Sequence, residues 1–575
     1  MIKIKKIIGN DAFVFAVLCL LVGITYFNSV YNTFVSDDIA GFLNNPYIGN
    51  LRVVFSQATF LHYFILYVIY KIFGLQPFAF RMSDILFHLG STFLLYLLLK
   101  DKLKKEWAFI AAALFAVHPL LVESVTWISG GIYVQYSFFI VLGLYLYSKA
   151  TKDVRYYIPS LLSFLAACFI SEKAVVFPLI LVVYELCFGS LQKRFTQFLP
   201  FAAVGAVWGV WYLFKLQSRI QLQNQQYYQK GVFENPFTRA VTAISSYIQL
   251  AFWPDKLTLY HSEITYGRVE FMLRVGVVVL FLIAVVWSYR KNKSIFFWLS
   301  LFVISLLPTL LPFKIAWVVA ERYVYLGTAG LIAAVMIFLG TYFKKQHIHI
   351  FFVALVAIIF LSGRTIVRNL DWKNEDTLWQ STAAVSPSDY KSHNNLGVIY
   401  QKHKQYREAL QEFQRSIELN PRFRDGYYNM AITYHATGKL SLALRTYKKT
   451  IALDPQYWQA YNGAGAILVN TGNYDEAIAF LQKGITLKKN FAPWYHNLGK
   501  AYEMKGDYKK AIEYYQTAVQ YDQNLWQSYT NMANIYYNHG EYKLAEENIL
   551  RAIEINSNYA PLKESLGNIR EKEGR

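Results

Sequence analysis

The chain has 575 residues, of which 55% are hydrophobic and 18% aromatic. It is too apolar for an ordinary soluble enzyme and too long for a single domain. Most of the net charge of +20 lies between hydrophobic segments, so we interpret it as a signal of membrane orientation and not of nucleic-acid binding. Cys19, Cys168 and Cys187 lie in apolar stretches without paired spacing, so the sequence predicts neither a disulfide framework nor a zinc site.

Apolar segments long enough to cross a bilayer recur through the first two thirds of the chain. The first follows Lys3, Lys5 and Lys6 without a convincing cleavage site, so we interpret it as an anchor. Two shorter stretches, 60–73 and 240–253, are predicted to lie at the membrane interface. We predict about eleven spans, at residues 12–30, 78–100, 107–122, 132–147, 156–170, 174–188, 198–216, 270–289, 295–311, 323–343 and 347–362.

Basic residues cluster in the short loops on one side of these spans, which the positive-inside rule assigns to the cytoplasm. The N-terminus is then cytoplasmic, and an odd number of crossings puts the loop after the first span and everything after Arg364 on the extracytoplasmic side. The basic loops are 100–105, 149–155, 193–194, 290–293 and 344–345.

Two adjacent carboxylates, Asp37 and Asp38, follow the first span on the predicted outer side. Charge this close to hydrocarbon is costly and suggests a function. A carboxylate here could take a proton from an attacking hydroxyl or hold a divalent cation against a phosphate. The alternative is that Ser36, Asp37 or Asp38 only caps a following short helix.

Further polar residues cluster at predicted outer ends of other spans. A single Glu–Lys or Glu–Arg pair is usually a structural salt bridge. Several on one surface better suit a site for an anionic headgroup, where Lys173 and Arg322 could bind phosphate. The candidate donor-binding or phosphate-binding residues are His118, Glu123, Glu172, Lys173, Glu321, Arg322 and Tyr325.

From Tyr390 onwards the sequence repeats with a period of 34 residues and carries the tetratricopeptide signature. Five repeats and a final helix predict a superhelix whose concave groove binds extended peptides. Asparagine amides in such a groove could pair with a passing backbone, although ordinary surface polarity would give the same pattern. The candidate acceptor-peptide residues are Asn394, Tyr428, Asn462, His496, Asn534, Tyr537 and Asn538.

The predicted class is therefore all-α, a polytopic membrane helix bundle followed by a tetratricopeptide superhelix. The predicted domains are a membrane domain at 1–365, a connector at 366–389 and the repeats at 390–575.

The order of several motifs resembles the transmembrane and tetratricopeptide repeat-containing protein O-mannosyltransferases, over nearly the whole chain. These motifs are Asp37-Asp38 with Asn45-Pro46, His118-Pro119 with Glu123, Ser171-Glu172-Lys173, Asn235-Pro236, Trp253-Pro254, Ala320-Glu321-Arg322-Tyr323 with Tyr325-Leu326, and Arg368-Asn369 with Trp372.

The resemblance implies a GT-C glycosyltransferase fold and transfer of a sugar, mannose in the family, from a polyprenyl-phosphate carrier to Ser or Thr hydroxyls of a protein. It assigns the catalytic base to Asp37 or Asp38 and acceptor binding to the repeats. Eukaryotic members carry Tyr-Arg-Pro-Leu where this chain has Thr59 to Tyr63 without an arginine. They also tend to have more repeats, which favours a bacterial or archaeal plasma membrane over the endoplasmic reticulum for this shorter chain.

Two other classes of function remain open from the sequence. A membrane-anchored scaffold would use the repeats to recruit proteins without catalysis, but it would not need acidic and basic residues gathered at one membrane face. A lipid-linked-sugar flippase or polymerase is the other alternative, but such proteins seldom need a peptide-binding array.

Overall fold

The computed structural model describes residues 10–226, 235–262, 264, 266–310, 317–343 and 346–574. Every regular element in these residues is helical, which confirms the predicted all-α class. The chain divides into two compact units, Met1–Ser388 and Asp389–Arg575, which we call the membrane unit and the array unit.

Eight helices in the described part of the membrane unit are long and apolar enough to cross a bilayer. They are Asp11–Ser29, Pro77–Lys100, Ile128–Ala150, Phe195–Phe214, Arg268–Lys291, Lys293–Leu310, Glu321–Tyr342 and Ile348–Asp371. The shorter α-helices of the described membrane unit are Leu51–Ser56, Phe60–Phe73, Lys105–Ala116, Val122–Thr126, Tyr157–Ile170, Phe177–Phe188, Pro236–Phe252 and Glu375–Val385.

Three of the predicted spans differ from straight membrane helices. The stretch 107–122 divides into Lys105–Ala116 and Pro119–Thr126, which meet at 51°. Stretches 156–170 and 174–188 become Tyr157–Ile170 and Phe177–Phe188, only 14 and 12 residues long. A straight span needs at least about 17 residues, and the polar Ser171 to Lys173 separates these two shorter helices.

The bend lies in residues 117–131, which we call the bent segment, and its cause is local. Pro119 has no N–H to continue a helix, and the His118 ring accepts a hydrogen bond from the Leu120 N–H at 3.2 Å. Near its end, a Cβ on Gly131 would lie 2.2 Å from Oδ2 of Asp84. Only glycine therefore allows this close approach of backbone to carboxylate.

The array unit consists of five helix pairs and a final helix. The pairs are Tyr390–Lys402 with Tyr406–Leu419, Arg424–Ala436 with Leu440–Leu453, Trp458–Asn470 with Tyr474–Leu487, Ala492–Met504 with Tyr508–Tyr521, and Trp526–Asn538 with Tyr542–Ile555, followed by Ala560–Glu573. Small buried residues such as Ala409, Ala443 and Ala477 allow the paired helices to pack closely.

The turns inside the helix pairs share one backbone conformation. Gly438, Gly472, Gly506 and Gly540 have φ values between +72° and +81°. The first repeat has Lys404 at the equivalent place, with φ +60°. A side chain in this left-handed region costs about 1–2 kcal/mol, so Lys404 is a strained exception in an otherwise regular series.

Replacing Lys404 by glycine should stabilise the array unit. The gain should be about 1 kcal/mol, because relief of the left-handed strain exceeds the entropy that glycine adds to the unfolded chain. Urea unfolding of the purified array measures it, and Gly472→Lys is the reciprocal control, expected to destabilise. A loss of stability in Lys404→Gly would contradict this account of the turn.

Candidate active site

The acidic loop, residues 30–50, is anchored to the bent segment by Asp38. The side chain of Asp38 is fully buried, and its Oδ1 accepts hydrogen bonds from the Ser129 N–H at 2.8 Å and hydroxyl at 2.5 Å. Oδ2 accepts a bond from the Val35 N–H at 3.3 Å. Burial raises the pKa of Asp38 to about 6, although these bonds and the nearby Arg81 favour the charged form.

Asp37, in contrast, is exposed. The residue before it, Ser36, has φ +55° and donates its N–H to Oε1 of Glu375 at 3.2 Å. Strained backbone of this kind persists only where surrounding contacts fix it, and it is frequent at functional sites. The loop therefore holds one carboxylate inside the protein and presents its neighbour outside.

Arg81 joins the same loop to the bent segment. Its guanidinium donates to the carbonyl oxygens of Asn32 and Thr33 and, at 2.9 Å, to that of Thr126. Arg81 is absent from the residues predicted from sequence. The available signal was the pair Arg81 and Asp84, two charges one helical turn apart inside a predicted span, which is rare without a function or a partner.

Asp84, one helical turn after Arg81, is connected through Gln135 to His62 of the helix Phe60–Phe73. Gln135 donates to Oδ1 of Asp84 at 2.8 Å, and Nδ1 of His62 lies 2.8 Å from the Gln135 amide oxygen. All three side chains are buried. The chain of contacts therefore joins three helices through polar groups that hydrocarbon would not solvate.

Glu123 and Arg322, both predicted from sequence as donor-binding or phosphate-binding residues, form a buried ion pair with each other. Oε2 of Glu123 accepts the Arg322 N–H at 2.7 Å, and Oε1 accepts from the guanidinium. The Arg322 guanidinium also lies 5.4 Å from the Trp127 ring centroid. Because the pair uses both backbone and side chain of Arg322, it fixes the turn 321–324 against the bent segment.

Lys173 lies against two tyrosines beside this pair. Its ammonium donates to the Tyr133 hydroxyl at 2.7 Å and lies 4.1 Å and 4.3 Å from the ring centroids of Tyr133 and Tyr323. We call Glu123, Tyr133, Lys173, Arg322 and Tyr323 the cationic cluster. Three of its members were predicted from sequence, and the two tyrosines complete it.

The neighbouring Glu321 belongs to a different network. It is fully buried, accepts from the Arg368 guanidinium at 3.2 Å and also accepts the Thr258 N–H. Arg368 in turn donates to Asp371 at 2.7 Å. Glu321 therefore links the last span to residues 258–261 instead of pointing into the cationic cluster.

The other residues predicted to bind the sugar donor or its phosphate lie outside the cationic cluster. Nε2 of His118 lies 2.9 Å from the Ala251 carbonyl, so both of its ring nitrogens face backbone. The Tyr325 hydroxyl lies 2.7 Å from Nδ1 of His88 in the helix core. Glu172 is half-buried and close enough to act electrostatically on Tyr133.

A cavity of about 610 Å³ borders the second half of the acidic loop. This volume falls in the range of small-molecule sites. Its lining includes Asn45, Asn50, Tyr67, Tyr70 and Lys71. Among the described residues, no group of three or more His, Cys, Asp or Glu side chains has a metal-binding arrangement.

In the array unit, two of the residues predicted to bind the acceptor peptide are hydrogen-bonded to asparagines that were not predicted. Nδ2 of Asn429 donates to Asn394 at 2.8 Å, and Nδ2 of Asn497 donates to Asn462 at 3.2 Å. These pairs link successive repeats. Asn429 and Asn497 were missed, although Asn395, Asn429, Asn497 and Asn531 recur at multiples of the repeat length.

The other predicted acceptor residues divide by exposure. The ring centroids of Tyr428 and Tyr457 lie 5.1 Å apart. Nδ1 of His496 lies 2.8 Å from the Ser528 hydroxyl oxygen. Burial lowers the pKa of His496 to about 4. Tyr537 is half-buried, whereas Asn534 and Asn538 are exposed.

Fold and site together define a polytopic helical membrane protein with a charged, partly enclosed cluster and a tetratricopeptide array. Residues 57–213 match the family described as dolichyl-phosphate-mannose-protein mannosyltransferase. Tetratricopeptide models match residues 390–423, 425–457, 459–524 and 527–559. The chain thus combines a segment similar to that mannosyltransferase family with tetratricopeptide repeats.

Its curated homologues are protein O-mannosyl-transferases. One from Caenorhabditis elegans is 24% identical over an alignment of 441 positions that covers 70% of this chain and 62% of that protein. A human one is 24% identical over an alignment of 475 positions that covers 70% of this chain and 51% of that protein. The chain thus spans between about half and two thirds of their length. A solved MamA from Desulfovibrio magneticus RS-1 aligns with 30% of this chain and 96% of its own, at 22% identity and a TM-score of 0.28.

Breaking the Glu123–Arg322 pair should destabilise the membrane unit strongly. Arg322→Gln leaves a buried carboxylate without its cation, which costs about 3–5 kcal/mol. Thermal unfolding of the purified protein in detergent measures the loss. The control Arg155→Gln removes an exposed arginine paired with Asp153 and should leave the melting temperature unchanged.

The double variant Glu123→Gln with Arg322→Gln separates charge from shape. It should be more stable than Arg322→Gln alone, because no unpaired charge is left buried. Equal losses in the single and double variants would contradict a role for charge compensation.

Proposed function

We propose that this protein is a membrane glycosyltransferase that moves a sugar from a polyprenyl-phosphate carrier to a Ser or Thr hydroxyl of an acceptor protein. Mannose is the sugar that the names of its relatives suggest. The observation that carries the proposal is the pair of adjacent carboxylates, one buried and anchored and the other exposed, in a chain whose residues 57–213 match a mannosyltransferase family.

The exposed Asp37 is the better candidate for the catalytic base. The Asp38 carboxylate is fully buried and accepts hydrogen bonds from Val35 and Ser129, whereas Asp37 is exposed and accessible to a substrate hydroxyl. In the proposed step, the hydroxyl oxygen of the acceptor forms a bond to the anomeric carbon and its proton goes to Asp37. The bond from that carbon to the phosphate oxygen breaks, and the phosphate leaves with the bonding electrons. Because the hydroxyl attacks from the opposite side, the configuration at the anomeric carbon is inverted.

Lys173 is the better candidate for the leaving phosphate. The Arg322 guanidinium is buried against Glu123, whereas Lys173 is only half-buried. An ammonium held by aromatic rings in a region of low dielectric would stabilise the charge that develops on the departing phosphate. Glu123 and Arg322 would then act as positioning residues that hold the tyrosines of the cationic cluster.

The array unit would bind the acceptor protein. The asparagine amides along successive repeats can donate to and accept from an extended peptide backbone. Tethering the acceptor by a second site raises its effective concentration for the transfer reaction. This arrangement needs the repeats and the acidic loop on the extracytoplasmic side, with the N-terminus in the cytoplasm, and a bacterial or archaeal plasma membrane is the proposed location.

Asp37→Asn should abolish most of the transfer activity. Loss of a general base lowers kcat by a factor of about 10² to 10⁴. Transfer of radiolabelled sugar from polyprenyl phosphate to membrane proteins measures the rate, with Asp153→Asn, in the loop 151–154, as a control that should keep full activity. Full activity in Asp37→Asn would exclude it as the base, and no transfer by the unaltered protein from any donor would favour a non-catalytic scaffold.

The protein should become more stable as the pH falls from about 8 through about 6. Burial raises the pKa of Asp38 to about 6, above its ordinary value of 3.8, so the folded protein takes up a proton in a range where the unfolded chain does not. Protonation removes the cost of burying this charge, and the melting temperature should therefore rise on the acid side. Thermal unfolding in detergent at a series of pH values measures this.

Asp38→Asn provides the comparison for that series. Its side chain carries no charge at any pH, so the rise in melting temperature near pH 6 should disappear. An unchanged rise in this variant would assign the effect to another group.

A further inference from the structure

An apolar groove runs along one face of the helix Arg268–Lys291 and ends in two cations. Its volume is about 510 Å³. The lining residues follow helical spacing, so they form one continuous stripe. We call this feature the basic groove, and it is lined by Val279, Leu282, Ile283, Val286, Trp287, Arg290 and Lys291.

Aromatic side chains from the helix Tyr325–Tyr342 border the groove near its charged end. The Trp287 ring centroid lies 6.2 Å from that of Phe338 and 5.6 Å from that of Tyr342. Phe338 and Tyr342 are 38% and 46% exposed. Tryptophan and tyrosine favour the depth of lipid headgroups, so this end of the groove suits the boundary between hydrocarbon and water.

The apolar part of the groove faces away from the protein core. Ile283 and Val286 are 58% and 60% exposed, so surrounding lipid is the natural cover for them in a membrane. Arg290 and Lys291 are also exposed, and no salt bridge joins either to a carboxylate within the described residues. The groove therefore presents an apolar surface stripe that ends at two positive charges without a carboxylate partner among the described residues.

We infer that the basic groove binds one phospholipid with an anionic headgroup, such as phosphatidylglycerol. An acyl chain lies along Val279 to Val286, and the headgroup phosphate lies between Arg290 and Lys291. Basic clusters at the ends of membrane helices attract acidic lipids by such contacts. The site is distinct from the cationic cluster, because no residue of that cluster lines the groove.

The charges also argue against a second copy of this chain as the occupant. A symmetric contact across the basic groove would bring two sets of Arg290 and Lys291 together. Like charges in such a contact repel, whereas an anionic lipid neutralises them.

Native mass spectrometry of the full chain, purified in detergent with equal phosphatidylglycerol and phosphatidylcholine, tests this inference. We expect retention of one phosphatidylglycerol in preference to phosphatidylcholine. Two cations contribute roughly fivefold each, so Arg290→Gln with Lys291→Gln should reduce the preference on the order of 25-fold. The matched control is Lys104→Gln with Lys152→Gln, two exposed lysines of other loops, which should keep it.

Filling the apolar part tests the acyl-chain contact separately. Ile283→Trp should displace the bound lipid while the protein stays folded, because the side chain is largely exposed. Equal retention of both lipids by the unaltered protein, or full retention in Arg290→Gln with Lys291→Gln, would overturn the inference. Disulfide-linked dimers formed efficiently by Ile283→Cys would overturn it in favour of a second copy.

Discussion

A buried charged side chain needs a hydrogen-bond or ionic partner. In this protein, residues of the bent segment supply partners to Asp38, Arg81 and Arg322. Transfer of an unpaired charge into an apolar region is so costly that a buried arginine or glutamate fixes the position of its partner. Ser129 holds Asp38, the Thr126 carbonyl holds Arg81, and Glu123 holds Arg322. The bend at Pro119 and the close approach at Gly131 therefore determine where the acidic loop and the turn 321–324 can lie.

The same constraint explains why two adjacent carboxylates behave differently. Asp38 satisfies the polar groups of the bent segment and is enclosed by them, while the left-handed Ser36 turns the backbone so that Asp37 stays outside. Without the contacts of Ser129 and Glu375, nothing would compensate for the strain of this backbone conformation, and the loop would relax. Anchoring one carboxylate is thus what keeps its neighbour available for chemistry.

Sequence patterns predicted the features that repeat and missed those that depend on unique contacts. The tetratricopeptide period and the apolar spans follow from composition at regular spacing, so the class and the repeats were predictable. The partners of Arg81 were not predictable, because its guanidinium donates to the backbone carbonyls of Asn32, Thr33 and Thr126, and every residue has such a carbonyl. The helices that begin at Tyr157 and Phe177 were predicted as full spans, because apolar composition does not reveal that the residues before each of them, Val154–Tyr156 and Glu172–Val176, form 3-10 turns.

The membrane unit therefore has two kinds of positive charge with different consequences for phosphate. Lys173 is partly enclosed by Tyr133 and Tyr323, where a lower dielectric strengthens attraction to an anion but also raises the cost of leaving the charge without one. Arg290 and Lys291 lie in the open, where water and salt screen each contact. A reaction that must stabilise transient charge needs the first kind of site, whereas a resident lipid that only has to be retained can use the second.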